Sequence, residues 1–334
     1  MAENRGAMKP KVLIAHPIPR IGIDLLQNRY SVTVLPSKHP LEPESLREEI
    51  RDAHGLIALL MDRVDEPLLA AAENLKVVAN HAVGYENIDI DAVKRHRVMA
   101  TNTPGVLTHA TAEVAFALLI CLTRRILEAD RYTRDGQFTV WDPLLLLGDE
   151  LYGKNMGIIG MGRIGFEMAR RCRAFGMNIL YHNRDRAAEE KEQAVGAVYC
   201  GLEELLERSH ALSIHAPSTP ETRHLIDAAA FDRMREGIYL INTARGEIVD
   251  EAALVKALER GKVEGAGLDV YEFEPDIHPG LFETGKVVLL PHIGSATKEA
   301  RDRMSETAAR NVIAALEGEQ PPNLIPELAD FFQS

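Results

Sequence analysis

Three stretches in the second half of the chain carry residue types that can bind an anion and move a proton. Arg245 follows one apolar run and His292 follows another. Between them, a third apolar run ends with three carboxylates, Asp269, Glu272 and Glu274. A guanidinium can hold a carboxylate, an imidazole can supply a proton, and a neighbouring carboxylate can keep the imidazole charged, so the set suits reduction of a 2-oxo acid. Taken singly, each residue has a plainer interpretation, as a surface ion pair, a core histidine or a solvated loop carboxylate.

A glycine-rich motif lies near the middle of the chain. Gly160, Gly162 and Gly165 form G-x-G-x-x-G between a strand-like apolar run and a helical run. The first glycine permits a tight turn, the second lets the backbone approach a pyrophosphate, and the third lets helix and strand pack closely. N–H groups at the start of the helix favour the phosphates. This context predicts a dinucleotide site, with a glycine turn that binds no ligand as the alternative.

The run MNILYH that follows bears on which dinucleotide is bound. It ends in His182, where an NAD-binding domain usually places an acidic residue for the ribose. Asn183, Arg184, Asp185 and Arg186 come next. Arginines pair with a 2′-phosphate, whereas a carboxylate repels it. The loop predicts NADP(H) as the preferred cofactor and NAD(H) as the second choice, with a solvated basic turn as the alternative.

These loops need a scaffold of strands and helices. Strand-like and helical runs alternate up to Pro104 and again after the glycine motif, a pattern typical of parallel sheets covered by helices. One long helix is predicted from Thr108, and another over 298–316 could pack on either unit. In a doubly wound sheet, ligands bind beyond the carboxyl ends of the strands. The predicted strands start at Lys11, Ser31, Gly55 and Lys76 and lie in NMGIIG, MNILYH, ALSIHA, GIYLIN, GAGLDV and VVLLPH.

The composition excludes some classes of function. With 38 Lys and Arg against 50 Asp and Glu, the net charge of −12 argues against nucleic-acid binding. Cys121, Cys172 and Cys200 are scattered singly, so we predict no disulfide framework and no metal site, and expect a cytoplasmic location. No apolar run is long enough to cross a membrane. The polar N-terminal segment does not resemble a signal peptide, and Met8 could be the natural start.

Taken in order, the motifs resemble those of the D-isomer-specific 2-hydroxyacid dehydrogenase family, and its glyoxylate/hydroxypyruvate reductase branch in particular. The match covers nearly the whole chain, and an ordered set of motifs is far more specific than a single glycine loop. His182 departs from the wider family and puts NAD in doubt. The motifs are VGYENIDIDA, TNTPGVLTHATAE, GIIGMGRIG, NTARGEIVDEAAL, GAGLDVYEFEP and PHIGSAT.

The resemblance implies an α/β fold of two flavodoxin- or Rossmann-like doubly wound domains with parallel sheets and an active site in the interdomain cleft. Residues 1–104 and 297–334 would form the substrate-binding (catalytic) domain, and residues 105–296 the NAD(P)-binding Rossmann domain. Family members are typically homodimers, with the arm around Trp141 in the interface. Trp141 would either reach the partner's active site or serve in interface packing.

The resemblance also assigns catalytic and substrate-binding roles. Arg245 would bind the carboxylate and carbonyl of the substrate, His292 would be the acid/base, and Glu274 would be its partner. Leu60 would supply an apolar wall, Val83 and Gly84 would offer backbone N–H groups to the carboxylate, and Ser295 would touch the substrate.

For the cofactor, the resemblance implies that Asp269 holds the nicotinamide carboxamide, with Thr243 and Gly294 lining the nicotinamide side. The glycine turn would contact the pyrophosphate. The full predicted set of cofactor contacts is Gly160, Gly162, Arg163, Ile164, Gly165, Asn183, Arg184, Asp185, Arg186, Thr243, Asp269 and Gly294.

The expected activity is NADPH-preferring reduction of small 2-oxo acids, glyoxylate to glycolate and hydroxypyruvate to D-glycerate. Hydride would pass to the carbonyl carbon while His292 protonates the oxygen. One alternative is a reductase of larger acids such as 2-ketogluconate, and another is a non-enzymatic, dinucleotide-sensing protein of the corepressor kind on the same scaffold. The expected partners are the small acid and a second copy of the chain, without nucleic acid or membrane.

Overall fold

The computed structural model describes residues 9–37 and 39–332, so Met8 lies outside the described residues. The backbone forms two compact units. Unit 2 is Thr108–Ser295, and unit 1 comprises the described residues on either side of it, up to Leu107 and from Ala296. No helix among the described residues is long and apolar enough to cross a membrane.

Each predicted strand is present. Two strands of three residues each, β5 and β8 below, were not predicted. The strands are β1 (Lys11–Ile14), β2 (Ser31–Val34), β3 (Gly55–Ala58), β4 (Val77–Asn80), β5 (Met99–Thr101), β6 (Asn155–Ile159), β7 (Asn178–His182), β8 (Ala197–Tyr199), β9 (Ala211–Ile214), β10 (Ile238–Asn242), β11 (Val263–Leu268) and β12 (Val287–Leu289).

The α-helices connect these strands. The predicted C-terminal helix has the expected bounds. The helices are α1 (Arg20–Gln27), α2 (Pro43–Glu49), α3 (Glu66–Ala70), α4 (Ile90–Arg95), α5 (Thr108–Thr123), α6 (Ile126–Arg134), α7 (Arg163–Ala174), α8 (Glu189–Val195), α9 (Leu202–Arg208), α10 (Ala228–Arg233), α11 (Glu251–Glu259), α12 (Pro279–Glu283) and α13 (Lys298–Leu316).

The single long helix predicted from Thr108 is wrong. The structure has two helices, α5 and α6, separated at Arg125, whose φ is +52°. The carbonyl oxygen of Thr123 accepts the N–H of Asp149 at 2.7 Å instead of continuing the helical ladder. Gly148 permits this approach, because a Cβ there would lie 2.2 Å from the same oxygen. A contact between positions so far apart in the chain leaves no trace in the helical periodicity.

Unit 1 is a parallel sheet of order β2-β1-β3-β4-β5 with helices on both faces. Because successive strand residues face opposite sides, Leu13 belongs to one buried cluster, while Val12 and Ile14 belong to another that includes residues of α13. Helix α13 also lies close to α1, where a Cβ on Gly22 would lie 2.4 Å from the carbonyl oxygen of Ser305. The C-terminal helix therefore packs on unit 1.

Unit 2 is a parallel sheet of order β12-β11-β10-β9-β6-β7-β8, also covered on both faces. Strand order reverses between β9 and β6, which makes this point the topological switch at which doubly wound sheets bind ligands. Both units are thus doubly wound α/β structures with parallel sheets, as predicted. The glycine turn and the loops that carry Arg245, Glu274 and His292 all follow strands of unit 2.

Candidate active site

The glycine turn joins β6 to α7, and contacts within the chain require glycine at two of its three glycine positions. Gly160 has a φ of +91°, and a Cβ there would lie 2.6 Å from a carbonyl oxygen after β9. A Cβ on Gly165 would lie 2.1 Å from the carbonyl oxygen of Gly160, whereas a Cβ on Gly162 would meet no atom within 4 Å. Arg163 and Ile164 begin α7, whose N-terminus no side chain caps. A tight turn, an open approach and a helix start fit a pyrophosphate.

Two buried polar groups after β9 and β10 also fit a bound dinucleotide. The hydroxyl of Thr243 and Nδ1 of His215 make no hydrogen bond with the described protein atoms. The other ring nitrogen of His215 lies 2.8 Å from the Ser213 hydroxyl, and burial lowers the pKa of His215 to about 4, so the ring is neutral. Buried polar groups are usually paired, so these two are open to a ligand. Sequence reasoning names Thr243 and misses His215, although its place beside the switch point could have indicated it.

The loop after β7 separates the two arginines predicted to contact the cofactor. Asn183 accepts a backbone N–H of the glycine turn at 2.6 Å and ties the two loops together. Arg184 is 95% exposed, with its Nε 3.5 Å from the carboxylate of Asp185. Arg186 makes two hydrogen bonds of 2.9 Å to Glu192 and is the main cause that lowers the pKa of that glutamate to about 2. Because Arg186 is already paired with Glu192, Arg184 is the better candidate to bind the 2′-phosphate of the cofactor.

Glu274 and His292 lie side by side in the loops after β11 and β12. Nδ1 of His292 is 2.9 Å from a carboxylate oxygen of Glu274, and 36% of each side chain is exposed. The other oxygen of Glu274 accepts the N–H of Tyr271 at 3.0 Å. Partial burial by itself raises the pKa of Glu274, but His292, this N–H and the charge of Arg245 outweigh it and hold the pKa below its ordinary value. The carboxylate is thus ionised at neutral pH and stabilises a charged imidazole.

Arg245 follows β10 and is positioned by a buried asparagine. Asn242 donates to the carbonyl oxygen of Arg245 at 2.9 Å and accepts the N–H of Ala244 at 3.0 Å. Because the charge of Arg245 contributes to the lowered pKa of Glu274, the guanidinium lies within electrostatic range of the Glu274–His292 pair. Unit 2 therefore brings together the three residues predicted to be catalytic.

Asp269 holds the backbone turn that carries His292. His292 has a φ of +53°, in the left-handed region that few non-glycine residues adopt. The two oxygens of buried Asp269 accept the N–H groups of Ile293 and Gly294, each at 2.7 Å. A Cβ on Gly294 would lie 3.1 Å from this carboxylate, and Ser295 follows, half-buried. Asp269 and Gly294 thus fix the His292 turn, and their contacts with the nicotinamide stay predictions.

The predicted substrate residues of unit 1 lie in the loops after β3 and β4. The side chains of Asn102 and Asn80 donate to the carbonyl oxygens of Val83 and Gly84, at 2.7 and 2.8 Å respectively. Within the described residues, no hydrogen bond uses the N–H groups of Val83 and Gly84, so both can serve an anion. Leu60 lies half-buried in the turn after β3. Sequence reasoning names these three residues and misses the two asparagines that orient the peptide groups.

The chain is similar to known proteins over nearly its whole length. Residues 116–294 match the family profile described as D-isomer specific 2-hydroxyacid dehydrogenase, NAD binding domain. The glyoxylate reductase of Thermococcus onnurineus is 47% identical over 322 residues, which are 95% of this chain and 96% of that protein.

Two solved structures are similar over nearly their whole length. A glyoxylate reductase from Paecilomyes thermophila is 35% identical with a TM-score of 0.86, covering 96% of this chain and 99% of its own. An NADPH-dependent glyoxylate/hydroxypyruvate reductase from Sinorhizobium meliloti, in complex with NADP and malonate, is 31% identical with a TM-score of 0.86, covering 96% of this chain and 97% of its own.

Proposed function

Because the chain belongs to the D-isomer-specific 2-hydroxyacid dehydrogenase family, we propose that it reduces small 2-oxo acids with NADPH, glyoxylate to glycolate and hydroxypyruvate to D-glycerate. The observation that carries the proposal is the Glu274–His292 pair, 2.9 Å apart, within electrostatic range of Arg245. Reduction of a 2-oxo acid needs a cation to bind the substrate carboxylate and an acid to protonate the carbonyl oxygen, and this site has both. The relatives named above as glyoxylate reductases support the choice of substrate.

The catalytic residues have distinct tasks in the proposed reaction. A nicotinamide dinucleotide, whose pyrophosphate the glycine turn would hold, would supply the hydride for the carbonyl carbon. Arg245 holds the substrate carboxylate and polarises the carbonyl. Glu274 occupies Nδ1 of His292, which leaves Nε2 to donate its proton to the carbonyl oxygen. The product is the 2-hydroxy acid.

Removing the charge of Glu274 should change the pH dependence of reduction. Reduction requires protonated His292, and ionised Glu274 stabilises that form. Glu274→Gln removes the charge that faces the imidazole, so the fall in kcat/KM at high pH should move to lower pH. Rates of glyoxylate reduction across the pH range measure the shift, with exposed Glu207→Gln on α9 as the control. An identical profile in Glu274→Gln would show that Glu274 does not support the imidazole.

Arg184 should determine the preference for NADPH. Its Nε lies 3.5 Å from the carboxylate of Asp185, and ion pairs between such exposed groups contribute little. One charge-assisted bond to the 2′-phosphate, worth about 1.5–3 kcal/mol, would favour NADPH over NADH roughly ten- to a hundredfold. Arg184→Ala should remove most of this advantage by weakening NADPH and leaving NADH nearly unchanged.

Steady-state kinetics with both cofactors measure that preference. Arg208→Ala on α9 is the matched control, because it also removes an arginine from a surface ion pair, with Glu204. If the wild-type chain uses NADH as well as NADPH, the phosphate contact proposed for Arg184 is wrong.

A panel of 2-oxo acids tests the substrate. Glyoxylate and hydroxypyruvate should give the highest kcat/KM with NADPH. A preference for 2-ketogluconate would identify a reductase of larger acids, and tight NADPH binding without turnover of any acid would favour the dinucleotide-sensing alternative.

We also propose a homodimer. The segment after α6 exposes several large apolar side chains, with Trp141 at 76%, and large exposed apolar patches usually mark interfaces. Sedimentation equilibrium of the wild-type chain and of Trp141→Ala tests this assembly. A monomeric wild-type chain would refute it.

A further inference from the structure

Two buried glutamates tie together the loops that carry Arg245 and Glu274. Glu251, the first residue of α11, is 4% exposed, and the side chain of Glu272 is 8% exposed. The carboxylate of Glu251 accepts the N–H of Glu272 at 2.9 Å, and the carboxylate of Glu272 accepts the N–H of Glu251 at 3.3 Å. The interpretation of Glu272 as a solvated loop charge is therefore wrong.

Glu251 holds the Glu274 loop on both sides of Glu274. Its second oxygen accepts the N–H of His278 at 3.1 Å, so its two acceptors bind residues before and after Glu274. The turn that carries Arg245 also packs against this loop, because a Cβ on Gly246, the residue after Arg245, would lie 1.8 Å from the carbonyl carbon of Tyr271. The Arg245 turn and the Glu274 loop are in direct contact, so neither can shift without the other.

His224 completes this network from a third segment. Its Nε2 lies 2.6 Å from the second carboxylate oxygen of Glu272. The backbone N–H of His224 donates to the carbonyl oxygen of Glu247 at 2.8 Å. Two residues further on, the N–H of Ile226 donates to the carbonyl oxygen of Ile248 at 3.0 Å. His224 therefore links Glu272 back to the residues that follow Arg245. Its imidazole also faces the buried carboxylate of Glu272, where a donor offsets the cost of burying that charge.

We propose that Glu251, Glu272 and His224 form a clamp that sets the position of Arg245 relative to Glu274. The proposal rests on the proposed function, since it assumes that these two residues act on one substrate. The clamp residues are positioning residues, because they act through Arg245 and Glu274. A displacement of about 1 Å can lower an enzymatic rate about a hundredfold, so loosening the clamp should lower kcat/KM for glyoxylate roughly ten- to a hundredfold.

Glu251→Gln is the main test. The amide keeps the shape of the side chain but turns an NH2 donor toward one of two backbone N–H donors. We expect kcat/KM for glyoxylate to fall, its decline at high pH to move to lower pH, and hydrogen exchange of residues 271–278 to accelerate. Glu167→Gln is the control, because Glu167 is also a buried carboxylate of unit 2, paired with Arg170 and Arg171 on α7. It should lower the melting temperature without these three changes.

Wild-type kinetics and hydrogen exchange in Glu251→Gln would overturn the clamp. If Glu251→Gln does not fold, variants of the half-buried His224 provide the test of the clamp. His224→Ala should show the same three changes, and His224→Gln, whose amide can still donate to Glu272, should recover most of the activity. Wild-type behaviour of His224→Ala would then overturn the clamp. Hydrogen exchange can be measured without turnover. An inactive wild-type chain would therefore refute the proposed function, and hydrogen exchange in the variants would still test the clamp.

Discussion

Replacing His292 by asparagine is expected to lower kcat for glyoxylate reduction by about 10²- to 10⁴-fold, the usual contribution of a positioned general acid. Asparagine can hydrogen-bond to Glu274 but cannot carry the proton to the carbonyl oxygen. It also tolerates the left-handed backbone that His292 adopts at φ +53°. Because Asp269 holds the turn through the N–H groups of Ile293 and Gly294, the turn does not depend on the imidazole.

Stopped-flow rates with NADPH and glyoxylate measure this effect, and NADPH titration shows whether cofactor binding survives. The control is His109→Asn, which alters another histidine of unit 2 that also lies beside a carboxylate, Glu167 at 3.3 Å. A variant at position 292 that keeps more than a tenth of the wild-type kcat would exclude His292 as the proton donor.

Arg245→Lys is expected to lower kcat/KM for glyoxylate roughly ten- to a hundredfold, because one charge-assisted bond is worth about 1.5–3 kcal/mol. Lysine keeps the positive charge that helps to lower the pKa of Glu274, so the pH profile should change little. What lysine cannot reproduce is the planar fork that binds a carboxylate through two parallel hydrogen bonds. The variant thus separates geometry from charge.

The kinetic constants of Arg245→Lys should show most of the loss as a higher KM for the 2-oxo acid, with the KM for NADPH unchanged. Arg208→Lys on α9 makes the same substitution at a surface pair and should behave as wild type. A near-normal kcat/KM in Arg245→Lys would refute its role in binding the substrate.

Local sequence patterns predicted those parts of the site that depend on local structure. Gly160, Gly162 and Gly165 indicate a turn of this kind. Contacts within the chain require glycine at Gly160 and Gly165, and Gly162 leaves open space beside the backbone. Arg245, Glu274 and His292 could be grouped because each follows a strand of one parallel sheet, whose carboxyl ends share an edge.

Contacts between distant segments could not be predicted. The break at Arg125 arises from an N–H donated from residue 149 to Thr123, and the burial of Glu272 arises from Glu251 and His224. Arg184 and Arg186 look equivalent in the sequence, and only Glu192, six residues beyond Arg186, distinguishes them. Each of these outcomes depends on which partner the fold supplies.

The proposed reduction of glyoxylate is tested directly by the rate of NADPH oxidation when glyoxylate is added to the purified wild-type chain, with the product identified. We expect steady turnover in which one glycolate forms for each NADPH consumed, and a rate about 10²- to 10⁴-fold lower in His292→Asn. Saturable NADPH binding with no oxidation of NADPH by glyoxylate or hydroxypyruvate would contradict it.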